Sequence, residues 1–100
     1  MARPIPESDA NDLLREAALL ERARADVSRR PRRALSVARS HHTLFPNGQL
    51  GAERELIVSE ALIELGRFRE ARRRLTVLSE SGLYAEHARR LLARIEAAAP

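Results

Sequence analysis

Apolar side chains recur along this chain at spacings of three and four, and the places where that rhythm breaks divide it into five helical segments. The clearest stretch runs from Glu60 to Leu78. Leu62, Ile63 and Leu65 close one stripe, and Phe68, Ala71, Leu75 and Leu78 open another on a single face of the next helix. Between them stands Gly66, which has no Cβ to clash at the left-handed backbone angles that commonly end a helix. The stretch predicts a helical hairpin, with Ala71 as the small residue at which the two antiparallel helices approach closely.

The rest of the chain reads as copies or caps of that hairpin. Residues 1–8 hold Pro4 and Pro6 and predict an irregular lead, with Ser8 or Asp9 capping a first helix over 9–28. In that helix Leu13, Ala17 and Leu20 form one row, with Leu14, Ala18 and Ala25 beside it, while Arg29 and Arg30 lie near the negative end of the helix dipole. Pro31 suits a first helical turn and so starts a second helix. This helix carries Ala34, Leu35, Val37 and Ala38 and stops near Leu44, before the turn-forming Phe45-Pro46-Asn47-Gly48. A third helix over 51–66 carries Leu56, Ser59, Leu62 and Ile63. The fourth reaches about Ser79 and is broken by Ser81-Gly82; the fifth, over 83–98, uses Tyr84, Ala88, Leu91, Leu92 and Ile95. The expectation is an all-α fold of stacked antiparallel helical hairpins, in one domain over 9–98.

Composition agrees. A chain of 100 residues, 44% hydrophobic and 32% charged, matches one globular domain, and 17 alanines and 15 leucines beside 3% aromatics favour helix over sheet. Cysteine is absent, which excludes disulfides, thiolate metal sites and thiol nucleophiles. No apolar run is long enough for a membrane span, and the opening MARPIPES lacks the apolar centre of a secretory signal. A complete chain of this kind is expected in the cytoplasm; a domain excised from an envelope-associated protein would be periplasmic.

Aligning Ala34 with Ala71 pairs the first helix with the third and the second with the fourth, at an offset of 37 residues. The hinge Leu65-Gly66-Arg67-Phe68-Arg69-Glu70-Ala71, together with Ala34 followed twelve residues later by Pro46, resembles the tetratricopeptide repeat. The segment FPNGQLGAERELIVSEALIELGRFREAR is similar to helical-repeat domains of bacterial envelope-associated regulators and outer-membrane assembly lipoproteins. Repeat one would span 15–48 and repeat two 52–85, with the fifth helix as a cap. The pattern is degenerate: Arg29 and Pro31 stand at the hinge glycine and aromatic places of repeat one, and Leu83 at the closing proline of repeat two. The resemblance implies a short α-solenoid that acts as a protein-interaction scaffold, without a cofactor.

Charge changes the functional picture. Counting arginines against acids, helices one and three sum to −2 and −3, helices two and four to +3 each, and helix five to +1. In tetratricopeptide arrays the first helix of each repeat lines the concave face, so the resemblance places Glu16, Leu19, Ala23, Asp26, Glu53, Leu56, Glu60 and Ile63 against a protein or peptide partner carrying basic residues. An apolar remainder at the open end of so short a stack would favour a homodimer.

All 18 basic residues are arginine, net charge is +4, and the densest clusters are Arg29, Arg30, Arg32, Arg33 and Arg67, Arg69, Arg72, Arg73, Arg74. Such clusters permit phosphate contacts, which makes an arginine-driven binder of nucleic acid or an anionic surface the alternative reading, and a purely structural dimerisation segment of a longer protein another. Against nucleic acid stand the scarcity of stacking aromatics and the roughly 100° fan of consecutive helical residues, which forms no stripe. His41 and His42 are adjacent and face different ways, with no ligand partner at i,i+4, so they predict no metal site; they are expected at the helix-two C-terminus, where positive charge is tolerated. Tyr84 is expected to pack on the fourth helix. Ser36, Ser40, Ser59, Ser79 and Ser81 lack an identifiable base, and no phosphate-binding glycine loop occurs, so no enzyme is expected.

Overall fold

The computed structural model describes residues 7–98, with side chains from residue 10. Among the described residues five helices follow in order: α1 Glu7–Asp26, α2 Pro31–Leu44, α3 Gly51–Glu64, α4 Phe68–Glu80 and α5 Ala85–Ala98. Ser8 and Asp9 lie inside α1 instead of capping it, and α1 ends two residues earlier than the pattern predicts; residues 1–6 of the expected irregular lead, and the last two residues, lie outside the described residues. Each helix packs on the next. In addition α1 touches α3 and α3 touches α5, whereas α2 and α4 do not meet among the described residues. The result is a stack of hairpins, 51 × 30 × 18 Å, with α1, α3 and α5 in one layer and α2 and α4 in the other.

Local chemistry sets the turns. Gly66 adopts φ of +74°, and its amide donates to the Ile63 carbonyl at 2.9 Å while that of Arg67 donates to Leu62 at 2.8 Å. This pair of bonds is a Schellman closure, which satisfies carbonyls that the end of α3 would otherwise leave bare. Gly82, at φ +97°, turns the chain from α4 into α5. The α1–α2 turn has no residue at positive φ; there the Arg30 amide donates to Asp26 at 2.7 Å and Pro31 begins α2 directly.

Two apolar clusters share α3. Ile57 and Ala61 join Leu20, Ala23, Val27 and Ala34 on one side. Leu56, Leu62 and Ile63 join Ala71, Leu75, Ala88, Leu91 and Ile95 on the other, with Phe68, Leu78 and Tyr84 packed around them. Ala34 and Ala71 are fully buried, as are Ala23, Ala61 and Ala88. Small side chains there let the helix axes come close, and alanine achieves this without loss of helix propensity. The stripe of α1 differs from expectation. Its buried row is Glu16, Leu20 and Ala23, continued by Val27 just past its end, while Ala17, Ala18 and Ala25 are exposed and Leu14 is 68% exposed. The interior row contains a carboxylate, so a search for apolar residues alone selects the wrong face.

Candidate functional site

Glu16 was expected on a partner-binding face, and it is instead 2% exposed at the centre of a polar network. Its Oε1 lies 3.0 Å from His41 Nε2, and the carboxylate accepts from the amides of Gln49 and Leu50 at 3.3 Å each. On the far side of the imidazole, Arg54 Nη1 stands 3.3 Å from His41 Nδ1. A guanidinium only donates, so Nδ1 must accept, and the ring proton resides on Nε2 and is donated to Glu16. His41 stands in the last turn of α2, as expected, and is fully buried there. The turn after α2 fits the network closely. A Cβ placed at Gly48 would fall 2.6 Å from Glu16 Cδ, too near for any side chain to be accommodated without moving the carboxylate.

The remaining residues of the expected acidic face do not form an open groove. Ala23, Leu56 and Ile63 are in the core, and Leu19 is half-buried. The carboxylates are occupied by neighbouring helices: Asp26 with Arg33 of α2 at 3.5 Å, Glu53 with Arg24 of α1 at 2.8 Å, Glu60 with His87 of α5 at 3.6 Å. Glu64 pairs likewise with Arg94 of α5 at 3.1 Å. The alternation of charge from helix to helix therefore serves, in large part, as pairing between stacked helices. Acidic α3 lies between cations contributed from both sides.

An open cleft lies on the opposite layer, where α2 and α4 stand apart over α3. The half-buried Leu35 and Val58 give its floor an apolar part above the buried Ala38 and Leu62, and it encloses about 250 Å³. Charged side chains line its walls: Arg39 and His42 from α2, Arg54 and Glu55 from α3, Glu70 and Arg74 from α4, and Arg67 at the N-cap of α4. The helical period explains why these converge, since 35, 39 and 42 share one face of α2, and 67, 70 and 74 share one face of α4. Arg74 bonds Glu55 at 2.6 Å and approaches Glu70 at 3.8 Å, Arg67 bonds Glu70 at 2.8 Å, and Arg54 lies 3.5 Å from Glu55. Arg39 and His42 meet no carboxylate among the described residues and are exposed.

The three consecutive arginines fan out as their spacing requires. Arg72 reaches Glu96 of α5 at 3.1 Å, Arg73 faces solvent and Arg74 enters the cleft. Among the described residues no three histidine or carboxylate side chains gather where a metal could sit, and no helix is long and apolar enough to cross a membrane. Ser59 is buried, with its hydroxyl donating to the Glu55 carbonyl at 2.8 Å. Comparison with protein-family models, curated proteins and solved structures finds no match for this chain.

Proposed function

We propose that the chain is a non-enzymatic protein-interaction scaffold of the tetratricopeptide kind, and that its partner docks in the cleft between α2 and α4. The observation that carries this reading is the cleft: two helices held apart over an apolar floor leave unfilled space that further polypeptide can cover. At about 250 Å³ it falls below the ~300–1,000 Å³ of sites that engulf a small ligand, which suits a few side chains of a larger partner. The hinge at Gly66, the buried crossing alanines and the separation of layers support the likeness to tetratricopeptide arrays. The docking face differs from the one that likeness implies, because the acids and apolar residues of the first helices are already engaged within the fold.

Amide chemical-shift mapping by NMR tests the reading, using short peptides that differ only in charge. The expected outcome is perturbation confined to α2, α3 and α4 around Leu35, Val58 and Arg74. Perturbation only on the α1 and α5 surfaces would reject the cleft. A second reading draws on Arg32, Arg39, Arg69 and Arg73, which carry exposed guanidinium groups on the α2–α4 layer with no carboxylate partner among the described residues. It predicts steeply salt-dependent binding of a short nucleic-acid duplex.

A further inference from the structure

The geometry points to a specific occupant for the cleft: an acidic peptide segment in which an apolar side chain stands beside carboxylates. This inference rests on the docking reading above and adds the chemistry of the partner. It reverses the sign expected from the sequence, where the acidic helices suggested a basic ligand.

Four guanidinium groups line the cleft, those of Arg39, Arg54, Arg67 and Arg74, against two carboxylates, Glu55 and Glu70, an excess of two positive charges before His42 is counted. The two carboxylates are already bonded to Arg54, Arg67 and Arg74. Arg39 and His42 remain for an incoming group, three residues apart on one face of α2. Arginine binds a carboxylate through two parallel N–H donors, a geometry that gives direction as well as charge. Next to this pair the half-buried Leu35 and Val58 offer an apolar side chain a place out of water. From position 35 to position 42 a helix advances only about 10 Å, the length of roughly three residues of extended chain. A carboxylate at the Arg39 end and an apolar side chain over the floor fit within that span.

Fluorescence anisotropy of the full chain with a labelled peptide of alternating Glu and Leu tests this, beside matched peptides carrying Gln or Lys in place of Glu. The Glu peptide should bind, more weakly as salt rises, and should shift amides of the cleft. Arg39→Glu should weaken it roughly tenfold, the equivalent of about 1.4 kcal/mol. Arg90→Glu, on the exposed face of α5, should leave binding unchanged, and both variants keep helix content by circular dichroism. The Lys peptide should gain affinity for the Arg39→Glu variant. Equal binding of Glu and Gln peptides, or an unchanged affinity in Arg39→Glu, overturns the acidic partner. If the Lys or Gln peptide alone shifts the cleft amides, the acidic partner fails while the docking cleft stands. If no peptide shifts them and a duplex does, both fail.

Discussion

The two halves of the stack are held by different means. Around α3, α4 and α5 the contacts are apolar, and Leu75, Ile95 and Leu62 are each shielded almost completely. Around α1, α2 and the turn into α3, the apolar cluster is smaller and alanine-rich, and a buried carboxylate takes the place that a leucine would otherwise hold. Glu16 nevertheless leaves nothing unsatisfied: among the described residues every buried side-chain nitrogen and oxygen has a hydrogen-bond partner. The contrast teaches what each solution secures. Apolar packing is tolerant of small shifts, whereas the Glu16 network specifies where the 46–50 turn must lie, because only that position brings two amides and a ring N–H to one carboxylate.

Removal of the carboxylate should separate the two halves most strongly. Glu16→Ala strands the Nε2–H of His41 in a buried site and takes the acceptor from the part-buried amides of Gln49 and Leu50. The cost should be about 4 kcal/mol, summed over three donors that lose their acceptor, read from the urea midpoint at constant slope. Hydrogen exchange at the Gln49 and Leu50 amides should accelerate together. A loss under about 1 kcal/mol would mean that water replaces the carboxylate and that the network is incidental. Leu75→Ala, in the apolar half, should cost about 3 kcal/mol and leave those two amides protected. Ala71 and Ala88 beside it are small, so the surrounding helices can close part of the cavity.

Gly48 gives a smaller and more selective probe. Its need is for space, not for an unusual backbone angle, since among the described residues only Gly66 and Gly82 have positive φ. Gly48→Ala should cost about 2 kcal/mol by displacing the Glu16 carboxylate from its donors. In a Glu16→Ala background the same change should cost almost nothing. Such non-additivity is expected when two residues share one contact, and additive losses would place the effect of Gly48 elsewhere.

Much of the architecture was legible in the sequence, and for identifiable reasons. The stripes of α2 to α5 contain few polar interruptions, Pro31 and Gly66 punctuate them, and Ala34 and Ala71 mark the crossings, so five helices and their pairing follow from spacing. The stripe of α1 was hidden because its buried row begins with Glu16, and hydropathy alone assigns a glutamate to the surface. The pairing of the acids between helices was hidden for a related reason. Charge sums per helix cannot tell a carboxylate that faces solvent from one that faces an arginine on the next helix, as Glu53 and Glu64 do. The cleft left a fainter trace, in the row 35, 39, 42 on α2 and the row 67, 70, 74 on α4; that they share one opening depends on α2 and α4 standing apart, which no spacing along the chain expresses.

The hinges offer the finest test of the difference between halves. In the second hairpin Gly66 takes φ of +74°, where a Cβ meets no neighbouring atom but the backbone angle itself is unfavourable for any other residue. Gly66→Ala should therefore cost about 1 kcal/mol, through the strain of a left-handed angle alone. In the first hairpin the alignment of repeats puts Arg29 at the equivalent place, and no residue of that turn has positive φ. Arg29→Gly should then bring no gain and should lower stability by a few tenths of a kcal/mol, about what added freedom in the unfolded chain costs. A stabilising Arg29→Gly would mean that the first turn is under strain that glycine relieves. The two hairpins would then share one hinge design, instead of closing one turn with a left-handed glycine and the other with a proline at the start of the next helix.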